Sequence, residues 1–187
     1  MWSTDETYRI NEIFYSLQGE GYFTGTPAVF IRFSGCNRAC PFCDTDHSAY
    51  TTMTTDEIMA EVRRFNSHHI VVTGGEPLLQ LSTPLLLALK ADGYFIAVET
   101  NGSLPVPPMV DWVTCSPKEE PWNIDRVDEL KIVYQGQDVE AIAERFNAPH
   151  LFLQPCSSLN TAETIGYIMA HPHWRLSLQT HKILNIQ

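Results

Sequence analysis

The chain has 187 residues, 44% of them hydrophobic and 18% charged, enough apolar material for one cored domain and too little chain for a full eightfold barrel of roughly 250 residues. Twelve Lys and Arg stand against 22 Asp and Glu, a net charge of −10, which argues against a nucleic-acid partner because a phosphate backbone selects a basic face. No apolar run approaches the roughly 20 residues of a membrane span, and the acidic start Trp2-Ser3-Thr4-Asp5-Glu6 has neither the basic nor the apolar stretch of a secretion signal, so the expected location is the cytoplasm, with no membrane partner.

Apolar runs predict strands over 8–17, 28–33, 69–73, 94–99, 112–115, 129–134, 150–154 and 175–179. Runs such as Ile70-Val71-Val72 and Phe95-Ile96-Ala97-Val98 suit parallel strands buried on both faces. Ahead of the third strand, 48–54 reads as a short bridge to a helix. That helix opens at Thr54-Thr55-Asp56-Glu57, which has capping-box spacing, and turns Ile58, Met59 and Val62 inward. A Leu-rich helix over 82–91 stops at Asp92-Gly93, and further helices fall at 139–146 and 161–169. Leu104-Pro105-Val106-Pro107-Pro108 is a loop too short to separate domains, so 1–187 is expected to be a single domain. Alternating strands and helices predict right-handed βαβ units. About half a dozen parallel strands make the fold α/β, an incomplete parallel β/α barrel open on one side. Ligands in such folds sit at the carboxyl ends of the strands.

Of the five cysteines, Cys36, Cys40 and Cys43 fall within eight residues, in C-x3-C-x2-C spacing on the loop after the second strand. In a reducing compartment such a group reads as metal binding before disulfide. Three thiolates can hold three irons of a [4Fe–4S] cluster and leave the fourth iron open to a ligand, whereas electron-transfer clusters take four Cys. The alternative is a structural zinc site completed by His47. Neither Cys115 nor Cys156 has the local spacing of a fourth cluster ligand.

The triad, with Phe42 just before its third member, resembles the radical S-adenosylmethionine (SAM) enzymes. Val71-Val72-Thr73-Gly74-Gly75-Glu76-Pro77 is similar to their GGEP element at a strand end. Glycines let a backbone approach a ligand and a carboxylate matches an ammonium; the other reading is a plain strand-to-helix turn with Pro77 at its start. Within that superfamily the chain resembles the 7-carboxy-7-deazaguanine synthases of 7-deazapurine (queuosine) biosynthesis. The resemblance is carried by Leu17-Gln18-Gly19-Glu20-Gly21, Ile31-Arg32-Phe33, Cys43-Asp44-Thr45, Ser116-Pro117-Lys118 and Leu178-Gln179-Thr180-His181-Lys182, and it runs from Ile10 to Gln187.

The resemblance implies a ring-contracting carbon–nitrogen lyase that turns 6-carboxy-5,6,7,8-tetrahydropterin into 7-carboxy-7-deazaguanine and releases ammonia. It implies SAM at the open iron, a 5′-deoxyadenosyl radical acting on pterin C6, and Mg2+ near the substrate carboxylate. By the same resemblance Cys36, Cys40 and Cys43 hold the cluster and Thr45 offers its hydroxyl to Mg2+; alone, Thr45 could simply cap a turn. SAM is expected against Phe42, Cys43, Asp44, Gly75, Glu76, Glu99, Thr100, Ser116, Pro117, Lys118, Gln154, Pro155, Cys156 and Ser157, with Cys156 a passive core thiol. The pterin is expected against Leu17, Gln18, Gly19, Glu20, Arg32, Thr73, His181 and the terminal Gln187. A carboxylate at Glu20 suits the amide–amidine edge of a pterin, although the same residue could be a solvated turn. Arg32 either forks onto the substrate carboxylate, the reading preferred here, or snorkels to solvent.

The loop after the cysteines is minimal, which leaves little to cover the open barrel side; the family implies a homodimer, and a flavodoxin or ferredoxin as reductant. Two other readings share the cysteines: a radical SAM activase acting on a glycyl-radical partner, and a non-enzymatic Cys3His zinc module. The activase has no use for L-Q-G-E-G and Q-T-H-K, and the zinc module predicts a colourless protein with one zinc and no iron.

Overall fold

A computed structural model describes residues 6–43, 45–46, 49–124 and 126–187, with Ser158 described by its backbone alone. Among these residues nine strands form one sheet: β1 (Thr7–Leu17), β2 (Pro27–Phe33), β3 (Thr51–Thr54), β4 (His69–Gly74), β5 (Phe95–Thr100), β6 (Trp112–Cys115), β7 (Glu129–Tyr134), β8 (His150–Pro155) and β9 (Arg175–Leu176). Their order is β3-β1-β2-β4-β5-β6-β7-β8-β9, and the edges β3 and β9 do not pair, so the barrel is open. Every pairing from β2 to β9 is parallel, as the apolar runs predict.

Three features depart from the sequence reading. β1 runs antiparallel to both β2 and β3, so the first edge is a meander rather than a βαβ unit. Residues 51–54 are a strand, not a bridge: Thr-Thr-Met-Thr is short and polar, and its pairing with β1 makes an edge that can face water. No helix joins β5 to β6 or β6 to β7 among the described residues, where prolines at 105, 107, 108, 117 and 121 remove backbone donors.

Helices α1 (Thr55–Val62), α2 (Thr83–Ala91), α3 (Val139–Ala143) and α4 (Thr161–Ala170) follow their predicted positions. The Thr54 hydroxyl accepts from the Glu57 N–H, and the Glu57 carboxylate accepts from the Thr54 N–H at 2.8 Å, closing the capping box. Ile58, Met59 and Val62 of α1 and Leu85, Leu86 and Leu89 of α2 cover the outer face of β1, β2, β4 and β5. A second outer core joins β6, β7 and β8 to α3 and Trp174. Side chains alternate along each strand, so Val71 and Ala97 face inward with Phe14, Ala28 and Phe30, where the Phe14 and Phe30 rings stack 4.8 Å apart.

The predicted strand 175–179 ends at Leu176, and the chain turns inward to a fifth helix, α5 (Thr180–Leu184). The loop 18–26 between β1 and β2 also turns inward, beneath the sheet. Its Phe23 ring lies 4.7 Å from His69, 5.7 Å from Phe95 and 4.8 Å from Trp112, and Tyr22 lies 4.5 Å from His150. These four are the first residues of β4, β5, β6 and β8. Aromatic rings thus pack across the amino ends of the strands, opposite their carboxyl ends.

Candidate active site

A cavity of about 570 Å3 occupies the carboxyl ends of the strands. All three cysteines of the triad line it, half-buried or exposed. Their loop is set by backbone bonds to the glycine turn after β4: the Gly75 N–H donates to Phe33 O at 3.2 Å and the Glu76 N–H to Gly35 O at 3.0 Å. The approach admits no side chain. A Cβ on Gly75 would stand 2.2 Å from Gly35 O and 2.8 Å from the Cys36 Cβ, and Gly74, at φ +136°, would meet Phe33 O. On the other side Asn101 donates to Asn37 at 3.0 Å, and Asn37 to Ser103 at 2.8 Å, fastening the loop to the end of β5.

Glu76 holds these strand ends together. Its carboxylate is fully buried and accepts from the Thr100 hydroxyl at 2.9 Å, the Asn101 N–H at 2.8 Å and the Leu78 N–H at 3.1 Å. Burial pushes its carboxyl above the ordinary range, and these three donors partly offset that. Its side chain does not line the cavity, and Gly74 and Gly75 just before it do. Pro117 also lies off the cavity, while its neighbours Ser116 and Lys118 line it. Asp44 and His47 lie outside the described residues.

The remaining expected residues line the same cavity, from Leu17 to Gln187. Cys156 is corrected in one respect: it is half-exposed on the cavity wall rather than a core thiol. Cys115 is the passive one, its thiol pushed up to about 12 by burial and, less strongly, by Glu76. Lys118 donates to the Ser116 hydroxyl at 2.9 Å and sits over the Phe42 ring at 5.2 Å. Burial lowers its ammonium below the ordinary lysine value, against the pull of Cys40. Arg32 is not a free fork, since its Nε donates to Glu12 at 2.8 Å, and Glu12 in turn accepts from the Gln187 amide at 2.6 Å.

The two motifs most distinctive in the sequence meet here. Thr180 donates both its N–H and its hydroxyl to Gly19 O at 2.9 Å, and Gln179 donates to Glu20 at 2.9 Å, across 159 residues of chain. A Cβ on Gly19 would lie 2.2 Å from His181 Nδ1; one on Gly21, at φ +65°, would lie 1.9 Å from the Glu129 carboxylate. Leu-Gln-Gly-Glu-Gly thus carries glycine where the tail and β7 press against the loop.

The cavity floor is a charge network that sequence reasoning missed in part. Lys131 Nζ lies 2.6 Å from Glu20 and 3.6 Å from Glu99, and its side chain is 5% exposed. Gln18 donates to Glu99 at 3.0 Å and the Thr73 hydroxyl donates to it at 3.3 Å, so Glu99, expected against SAM, is tied to two residues expected against the pterin. Burial would raise the Glu20 carboxyl, but Lys131, with Gln179, holds it below the ordinary value. The detectable signal was a lysine in the middle of the apolar run Leu130-Lys131-Ile132-Val133, where an ammonium must find partners.

For a [4Fe–4S] cluster the thiols fit by placement: they line one cavity, and Cys40, raised above the ordinary thiol value chiefly by burial, also feels Cys36 and Cys43. Among the described residues no three His, Cys, Asp or Glu side chains close on a point for a single metal ion, whereas a cube takes its thiolates at separate corners. Thr45 and Asp46 line the cavity beside Cys43.

A model of the radical SAM superfamily matches residues 30–114. A 7-carboxy-7-deazaguanine synthase from Bacteroides thetaiotaomicron is 57% identical over 180 residues, 96% of this chain and 98% of that one. A relative of the same name from Neisseria meningitidis is 42% identical over 201 residues, covering 96% of this chain and 94% of its own. The crystal structure of QueE from Escherichia coli superposes with a TM-score of 0.77 at 32% identity, over 92% of this chain and 94% of that one. With relatives this close over nearly its whole length, the chain belongs to the 7-carboxy-7-deazaguanine synthase family of radical SAM enzymes.

Proposed function

We infer that the protein converts 6-carboxy-5,6,7,8-tetrahydropterin to 7-carboxy-7-deazaguanine with release of ammonia, using a [4Fe–4S] cluster, SAM and Mg2+. The observation that carries this reading is the meeting of the Gln18-Gly19-Glu20 loop with the Gln179-Thr180-His181 tail on the floor of the cavity whose rim bears Cys36, Cys40 and Cys43.

Cys36, Cys40 and Cys43 would hold the cluster, and Thr45 would offer an oxygen to Mg2+. When bound, cluster and SAM supply one-electron chemistry that lets a hydrogen atom be taken from the substrate. The chain's own residues do the rest. The backbone of Gly74 and Gly75, with Thr100, Ser116, Gln154, Pro155 and Ser157, shapes the wall for SAM. Glu20, kept ionised, accepts N–H groups from the pterin's amide–amidine edge. Arg32 exchanges Glu12 for the substrate carboxylate, and His181 and Gln187 close the pocket beside it. The aromatic residues Tyr22 and Phe23 of loop 18–26 pack across the other end of the barrel.

The working form is a homodimer whose second copy covers the open edge of the sheet, the electron donor is a flavodoxin or ferredoxin, and the enzyme works in the cytoplasm; no described helix is long and apolar enough to cross a membrane. The test is anaerobic reconstitution, reduction, and incubation with SAM and the carboxylated tetrahydropterin. Wild type should form the deazapurine and ammonia; Cys40→Ala should lose the cluster absorbance and all product. Iron–sulfur absorbance and SAM cleavage without deazapurine would refute the assignment and favour an activase; a colourless protein holding one zinc would favour the zinc module.

A further inference from the structure

Lys131 stands on β7 between Leu130 and Ile132, both core residues, yet its side chain points into the barrel and ends in the cavity floor. An ammonium this deeply buried is costly unless several acceptors surround it. Three carboxylates do: Glu20 at 2.6 Å, Glu99 at 3.6 Å, and Glu129 nearby. Burial would lower the lysine, and the three glutamates reverse that and hold it protonated. Each of the two cavity-facing glutamates takes one further amide donor, Gln179 for Glu20 and Gln18 for Glu99. Gln18 also accepts the Glu20 N–H at 3.1 Å, so the two glutamates are fixed relative to each other. A carboxylate has about four acceptor positions; Lys131 and Gln179 take two of Glu20's, Gln18 and Thr73 take two of Glu99's, and both residues line the cavity with capacity to spare.

We propose that Lys131 is a positioning residue for the pterin: it holds Glu20 and Glu99 side by side as two acceptors presented to the ligand's N–H edge. This rests on the pterin reading above. Without the ammonium, two carboxylates in a site of low polarity repel each other. The two side chains then move apart, and the ligand loses its paired acceptors.

The test is a double-mutant cycle of Lys131→Met and Glu20→Gln, reading equilibrium dialysis of pterin-6-carboxylate against the reconstituted holoenzyme. Lys131→Met alone should weaken binding by roughly 30-fold or more. The double variant removes one charge of each sign, and it should bind within about threefold of Glu20→Gln, because with Glu20 neutral there is no longer a pair of carboxylates for Lys131 to hold together. Additive losses, or Lys131→Met binding like wild type, would overturn the proposal. If Lys131→Met does not fold, the double variant against Glu20→Gln decides alone: equal binding supports the proposal, and a further loss of roughly tenfold, or failure of the double variant to fold, makes Lys131 a structural residue and overturns it. Wild type that binds no pterin would remove the function reading and this inference together, whereas the other failures remove only the inference.

Discussion

The loop 18–26 has two faces inside one barrel, and they meet opposite chemistry. Toward the carboxyl ends of the strands it presents Gln18 and Glu20 to a network of hydrogen bonds and charges. Toward the amino ends it presents Tyr22 and Phe23 to a set of stacked and edge-on rings, with Arg175 over Tyr22 at 5.9 Å. The upper face depends on donors and acceptors meeting in fixed geometry, because an unpaired polar group in a buried site costs far more than a loose apolar contact. The lower face depends on area and shape, and rings accommodate small shifts. The upper region should therefore be brittle to single substitutions and the lower one forgiving.

The sharpest break is at the top. Glu76→Ala leaves Thr100, Asn101 and Leu78 without their buried acceptor and should lower stability by about 3 kcal/mol. It should also loosen the cysteine loop, read as a drop in iron bound per chain after reconstitution, alongside urea midpoints. At the lower face, Phe23→Ala removes a half-buried ring with four aromatic neighbours and should cost about 2 kcal/mol in the same urea experiment, with iron content unchanged. Equal iron loss in the two variants would erase the distinction.

The smallest effect lies on the boundary, at Glu129. Its carboxylate accepts the Tyr22 N–H at 3.0 Å and leaves one oxygen buried without a partner. Burial, opposed by Lys131, raises it above the ordinary 4.5. Between that ordinary value and the raised one, the folded chain binds a proton that the unfolded chain has lost, so this group's contribution to stability falls as pH rises through the window. Glu129→Gln removes the dependence. The variant's stability relative to wild type should rise as pH climbs from the ordinary 4.5 through the raised value, in thermal melts at each pH. A difference that shrinks with pH would reverse the sign assigned here.

The parallel part of the sheet is legible because Ile70-Val71-Val72 and Phe95-Ile96-Ala97-Val98 can only be buried on both faces, and the capping box marks α1 to the residue. β3 is not legible, since Thr51–Thr54 is a strand only through its partner β1. α5 is not legible either: Thr180–Leu184 is a short helix, and its first residue is anchored by a long-range bond to Gly19. At the site, the cysteines and glycines carry local spacing and could be read. Lys131 and Glu129 carry none: their meaning comes from a loop more than 100 residues earlier in the chain. Nor does the spacing of Gly74-Gly75-Glu76-Pro77 reveal that the Glu76 carboxylate takes buried donors from Thr100 and Asn101, at the end of the next strand.

The bonds from Gln179 and Thr180 to the loop at Gly19 and Glu20 have a bearing on biosynthesis. A ribosome makes the pocket's first wall at the outset and its matching piece only after some 159 residues more. Until residues 179–181 emerge, Glu20 has no amide partner and Gly19 no cover, so the nascent polypeptide can form its central sheet yet hold no finished floor. Competence for substrate thus arrives in one late event, and a premature stop before that segment would yield a product with the sheet's order but no working pocket.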